Sequence, residues 1–224
     1  MKKRSVLILS LVIIFTFALS GCNVVKQFLP TGLLNNSSQD TASGVLYADD
    51  FSKTSSGWDQ TTSSSGSTDY MDGTYQILVN ETQYDLWANP GKDFTDTSVE
   101  VDAVMIGGPA DNDYGILCRY KDTNNYYFGI ISSDGYYAIG SLKDGTQTLF
   151  ADNMEYSDAI KQGSETNRIR FDCVGSTLTL YANGTQLTQA TDSTLTSGDV
   201  GLMAGTFDTA GTQISFDNFV VKKP

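Results

Sequence analysis

From Val45 to the end, the chain is written in short apolar runs, each closed within a few residues by Gly, Asn, Asp or Ser. Inside the runs the spacing is two. In Thr97–Ile106, Val99, Val101 and Ala103 fall on one side, while Glu100 and Asp102 fall on the other. That alternation suits a strand with one buried and one wet face. No window sustains a helical period, apart from a single turn near Ser157–Lys161. About 180 residues of this texture make one sizeable all-β domain. Many short strands with Gly and Asn turns predict an antiparallel two-sheet β-sandwich of jelly-roll type.

The strands fall on "GVLYADDF", Thr74–Asn80, Tyr84–Asn89, Thr97–Ile106, "YGILCRYK", "NYYFGIIS", "YYAIGSL", the hairpin "NRIRFDCVG"/"STLTLYANG", "GDVGLMAGTF" and "TQISFDNFVVK". Turns such as "MDG", "DTN", "SDG" and "NGT" separate them. Period two puts Ile169, Phe171 and Cys173 on one face, and Ile116, Cys118 and Tyr120 on one face, with Leu117 and Arg119 opposite. It splits Tyr126 from Tyr127 and Tyr136 from Tyr137, one of each pair inward and one outward. Cys118 and Cys173 both sit on the more apolar side of their strands. In an exported chain they form either a core disulfide closing a loop of over fifty residues or two buried thiols.

The chain opens with the basic "MKKR" and an apolar run from Val6 to Leu19, too short for a stable transmembrane span. "LSGC" follows, Leu19–Cys22, and resembles the bacterial lipobox. The resemblance implies a signal peptide at 1–21, cleavage before Cys22 and lipid on that cysteine, hence an extracytoplasmic, membrane-anchored lipoprotein of the cell surface or periplasmic face. The alternative is an ordinary secretory signal beside a chance cysteine. Residues 22–44, polar and small, read as a linker, with an apolar patch at Phe28–Leu29 and Leu33–Leu34 that lies either on the membrane or on the domain. Residues 45–224 form the domain.

Loss of residues 1–21 removes Lys2, Lys3 and Arg4 and no acid, leaving 11 basic against 26 acidic side chains, a net −15. A surface this acidic repels phosphate backbones, so nucleic acid is not an expected partner. The chain has no histidine. That excludes His-based general catalysis, His-dependent nucleophile systems and His-ligated zinc.

The ordered motifs "DDFSKTSSGW", "CRYKDTNNYYFGI…DGYY", "NRIRFDCVGSTLTLYANG", "GDVGLMAG" and "FDNFVV" resemble the concanavalin A-like lectin/glucanase superfamily over residues 46–222. The similarity is to its bacterial lipoprotein members related to the 3-keto-disaccharide hydrolase domain and to laminin-G-like domains. It implies two curved sheets with ligand on or beside the concave one. It also implies a structural calcium between the first and last strands, held by Asp49 or Asp50 and by Asp217; no cofactor is otherwise required. Asp122 and Asn124 in the "DTNN" turn offer a further chelating pair, or simply bond their own backbone. Laminarinase-type relatives carry E-x-D-x-x-E. Here Glu100 and Asp102 are present, but Met105 stands at the third acidic position, so the pair reads as the solvent face of a strand.

Sugar binding needs flat aromatic faces and planar polar groups. Trp87, Arg119, Tyr127 and Tyr137 are the expected ligand-binding set, on outward faces. Trp58 reads as a structural plug under the first loop. The leading expectation is a non-catalytic glycan-binding or adhesion lipoprotein. The alternatives are a saccharide-active hydrolase of the same fold and a structural lipoprotein whose partner is another envelope protein.

Overall fold

The computed structural model describes residues 44–224. The signal peptide, Cys22 and the rest of the linker before Gly44 lie outside the described residues. Among those described there is no helix, and sixteen strands form two antiparallel sheets. The nine-stranded sheet holds β1 (Val45–Asp49), β2 (Thr61–Ser63), β3 (Gly66–Met71), β4 (Thr74–Val79), β6 (Thr97–Gly107), β12 (Asn167–Val174), β13 (Thr177–Ala182), β14 (Thr185–Thr191) and β16 (Thr212–Lys222). Its order is β14-β13-β12-β6-β16-β4-β3-β2, with β1 also paired to β16. The seven-stranded sheet holds β5 (Tyr84–Ala88), β7 (Asn112–Asp122), β8 (Asn125–Ile131), β9 (Tyr136–Lys143), β10 (Thr146–Leu149), β11 (Glu155–Tyr156) and β15 (Asp199–Thr206). Its order is β10-β9-β8-β7-β15-β5, with β11 paired to β9. The polar strand β3 is one that apolar patterning does not reveal; it buries Thr68 and Tyr70 and leaves Met71 exposed.

Alternation decides the core. Val99, Val101 and Ala103 of β6 and Ile169, Phe171 and Cys173 of β12 are fully buried and face the other sheet. From the seven-stranded sheet, Tyr114, Ile116 and Cys118 of β7 and Tyr127 and Ile131 of β8 meet them. A β-carbon on Gly129 would come within 2.7 Å of the Phe171 ring, so glycine there lets Phe171 reach the opposite backbone. Burying one such side chain stabilises by about 1.5–3 kcal/mol. At the chain's entry, Trp58 plugs the core beside Phe51, Tyr75 and Phe219, and its indole N–H donates to Asp49 Oδ2 at 3.0 Å.

Cys118 and Cys173 are joined by a disulfide that ties β7 to β12 across the sandwich. The loop it closes spans 55 residues, worth about 4 kcal/mol on the chain-entropy account. Reduction, or a Cys118→Ser/Cys173→Ser double variant, is expected to lower the melting temperature by on the order of 10 °C. A melting curve unchanged by reductant, with the thiols shown free by mass, would remove the crosslink from the account.

Candidate functional site

Because the disulfide side of β7 faces the core, the opposite side of the seven-stranded sheet is its outer face. Residues paired across neighbouring strands share a face, so the register can be read as rows. One row runs Asp85–Gly205–Asp113 across β5, β15 and β7. The next runs Trp87–Met203–Gly115–Ile130–Ala138 across β5, β15, β7, β8 and β9. A third runs Gly201–Leu117–Phe128–Gly140. Beyond it Tyr120 and Tyr126 stack, with ring centroids 5.7 Å apart and planes at 23°. Trp87 leans on Tyr126 at 5.7 Å and donates its indole N–H to the Tyr120 hydroxyl at 3.4 Å. The side chains of this face form their own apolar cluster, against which Leu149 and Met154 also pack.

The carboxylate row is the chemically charged end of that floor. Gly205 carries no side chain, and the space is taken by its neighbours. A β-carbon there would collide with Asp85 Oδ1 and stand 2.6 Å from Asp113 Oδ1. The two carboxyl groups therefore lean toward one another over the glycine. Asp113 is 6% exposed, and its Oδ1 has no hydrogen-bond partner among the described residues. Burial pushes Asp85 from its ordinary 3.8 up to about 6. Burial, and then the Asp85 charge, pushes Asp113 well above the carboxylate range. Two like charges so placed resist ionising together, so the pair holds its proton more tightly than free carboxyls do. It thus presents a donor and an acceptor side by side, which serves hydroxyl recognition or acid–base transfer. Tyr126 is raised by burial and then by Asp85 and Tyr120, so its phenol stays protonated.

Of the four expected ligand-binding residues, the structure places only Trp87 on this face. Tyr127 is fully buried in the sandwich interior; its hydroxyl donates to Asp192 and accepts from the Leu195 amide. It is inward because it pairs directly with Cys118. Tyr137 pairs with Ile131, is likewise inward, and donates to Glu155 at 2.8 Å. The outward members of the two tyrosine pairs are Tyr126 and Tyr136. Arg119 breaks the alternation with φ 52° at a bulge in β7. The bulge turns Arg119 into the protein, 2% exposed, where it donates to the carbonyls of Thr95 and Leu195 and pairs with Asp96. It also swings Tyr120 outward, against the expected face. Asp85, Asp113, Tyr120 and Tyr126 were missed. A usable signal existed for Asp85, which sits two residues before Trp87 and so shares its face.

The metal and acidic-strand expectations resolve differently. Asp49 is occupied by the Phe51 amide, the Trp58 indole and the Tyr47 hydroxyl. Asp50 is exposed and accepts from Ser52, while Asp217 accepts from the Asn218 amide. Asp50 and Asp217 line two depressions that share only Asn218. No group of three or more Asp, Glu, Cys or His gathers for a metal among the described residues. Asp50 and Asp217 thus stand in separate depressions, each bonded within its own turn. Asp122 bonds the Asn124 amide and Asn125 within its own turn. Glu100 and Asp102 lie on the outer face of the nine-stranded sheet, ion-paired to Arg168, with Lys222 also on Glu100. Burial opposes ionisation of Glu100, but Lys222 and Arg168 outweigh it and hold the group below its usual range.

The sign of the carboxylate pair's effect on stability follows from those raised values. Both groups bind protons more tightly folded than unfolded, so their contribution is complete below about pH 4 and is lost as pH rises through 6 and beyond. The melting temperature is expected to fall between pH 5 and pH 8. Asp113→Asn should flatten that slope and melt several degrees higher than wild type at pH 8. An identical slope in the variant would mean that the pair does not share a proton.

The comparisons with known proteins agree with this architecture. The profile of the 3-keto-alpha-glucoside-1,2-lyase-like domain matches residues 47–222. Among solved structures, the carbohydrate binding module CBM66 from Bacillus subtilis superposes with TM-score 0.61 at 16% identity, over 75% of this chain and 96% of that one. A Bacillus subtilis protein with a galectin-like fold gives 0.59 at 13% identity, over 80% and 96%. A glycosidic hydrolase gives 0.57 at 12% identity, over 78% and 94%. At such identities the likeness is one of fold alone. No curated protein matches the chain. On the strength of the profile match, which spans the whole sandwich, the chain belongs to the 3-keto-alpha-glucoside-1,2-lyase-like domain family.

Proposed function

We propose that the protein is an extracytoplasmic lipoprotein, anchored through Cys22, that binds a saccharide on the outer face of the seven-stranded sheet. The observation that carries this reading is the floor itself. The half-buried Trp87 and Tyr120, backed by the buried Met203 and Tyr126, offer apolar surface to the C–H side of a sugar ring. The Asp85/Asp113 pair at its end offers a donor and an acceptor to the hydroxyls. Membership of a family named for a glucoside lyase, and a fold shared with a carbohydrate binding module, support the same ligand class.

The Asp85/Asp113 pair also favours a second reading, in which the bound saccharide reacts. A ketone at C3 of a glucoside acidifies the C2–H bond. An ionised carboxylate can take that proton while the protonated partner delivers one to the departing C1 oxygen. The C1–O bond breaks, a C1–C2 double bond forms, and no oxidant is needed. The test is a 3-keto-glucoside with a chromogenic leaving group: release by the wild type and its loss in Asp113→Asn support the lyase, and no release leaves binding alone.

Two outcomes check the principal reading. In titrations of the purified protein against a neutral glycan panel, Trp87→Ala should weaken binding about tenfold or more. Tyr127→Phe, altered inside the sandwich, should leave it within about twofold. Equal losses in the two variants would return the site to the sandwich interior. For the anchor, labelled fatty acid should enter the wild type and fail to enter Cys22→Ala, which should then appear in the soluble fraction. Labelling of the variant would sink the assignment to Cys22.

A further inference from the structure

The turn from Ser132 to Tyr136 carries groups that the saccharide reading does not use. Ser132 is 1% exposed; its hydroxyl accepts from the Tyr136 amide at 2.9 Å and donates to the Asp134 carboxylate. One buried serine thus ties the backbone of an aromatic residue to a neighbouring carboxylate. Both residues open onto a depression of about 530 Å³, lined also by Asp111, Asn153, Met154 and Phe207. That volume suits a small molecule. Trp87, Asp85 and Asp113 are not among the lining residues.

The walls are aromatic and the charge has one sign. Tyr136 is 42% exposed, and its cross-strand partner Tyr156 stands edge-on to it, with centroids 5.7 Å apart and planes at 71°. Tyr156 is itself held, its hydroxyl donating to Asp158 and accepting from the Gln162 amide, each at 2.9 Å. Tyr136 is therefore a braced ring with open surface. Phe207 adds a second half-buried ring and Met154 a half-buried thioether. Asp111 is exposed and Asp134 half-buried, and exposed Asp152 and Asp208 flank Asn153 and Phe207 in the chain. Among the described residues, no Lys or Arg lines the depression.

Ring faces and carboxylates both attract positive charge. The kind of cation follows from the remaining chemistry. A calcium-like ion asks for roughly six to eight oxygens, and Phe207 and Met154 bring none. A primary ammonium is tightly hydrated and has three donors to satisfy, while Asp134 is already engaged by Ser132. A quaternary ammonium donates no hydrogen bond, and aromatic faces are its usual recognition surface. We propose that this depression binds a small quaternary ammonium ion, at a site separate from the saccharide floor and independent of it.

The test titrates the purified protein with choline, with its uncharged isostere 3,3-dimethylbutan-1-ol, and with phosphocholine. Choline should bind about tenfold more tightly than the isostere, because shape is kept and charge is lost. Phosphocholine, whose phosphate would meet Asp111 and Asp134, should bind about fivefold more weakly than choline. Tyr136→Leu, which keeps apolar bulk but removes the ring, should weaken choline about tenfold, and Tyr136→Phe should stay within about twofold of wild type. Asp111→Asn/Asp134→Asn should weaken choline about fivefold and flatten its salt dependence. Equal binding of choline and the isostere, wild-type affinity in Tyr136→Leu, phosphocholine binding as tightly as choline, or no saturable choline binding each overturns the proposal. Choline binding kept in Tyr136→Leu but abolished by Trp87→Ala also overturns it and moves the cation to the Trp87 cluster. None of these outcomes bears on whether a saccharide binds at Trp87.

Discussion

Cys118 meets Cys173 between the two sheets, and that contact settles which way every strand of the seven-stranded sheet faces. With Cys118 inward, its cross-strand partner Tyr127 is inward, and by the next pairing so is Tyr137. The other parity then has no choice. Asp85, Trp87, Asp113, Tyr126 and Tyr136 all belong to the outer face. A one-residue slip anywhere between β5 and β9 would exchange these sets and bury the carboxylates in the core, at a cost no packing there would offset. The candidate site is thus a consequence of how the sandwich closes.

This explains what could be read in the chain and what could not. The strands of the core were legible because Val99, Val101, Ala103 and their counterparts in β12 repeat at period two. The disulfide was legible because both cysteines sat with apolar neighbours. The split of each tyrosine pair was legible too. The direction of the split was also available, since the short "DTN" connection forces Tyr127 to share the side of Cys118. What the sequence hid was the bulge at Arg119. A non-glycine residue at positive φ leaves no compositional mark, yet it turns Arg119 inward onto two carbonyls and sends Tyr120 to the outer face. Asp85 and Asp113 stayed hidden for another reason. They are far apart in the chain and become a pair only through their common neighbour Gly205.

The two outer faces differ in their electrostatics. On the nine-stranded sheet, Glu100, Asp102 and Asp172 are matched by Arg168, Arg170 and Lys222, so charge is neutralised locally. On the seven-stranded sheet Asp85 and Asp113 are ion-paired to no cation among the described residues, and burial favours their protonated forms. The first arrangement is that of a solvated surface. The second leaves an orphaned buried oxygen beside an aromatic cluster, a configuration that costs stability and singles the pair out as a candidate functional group.

The most direct measurement is a crystal structure of the protein with a neutral saccharide bound. The account predicts sugar density over Trp87 and Gly205, with hydroxyls on Asp85 and Asp113. Density confined to the sandwich edge beside Tyr137 and Glu155, with the outer face of the seven-stranded sheet bare, would contradict it.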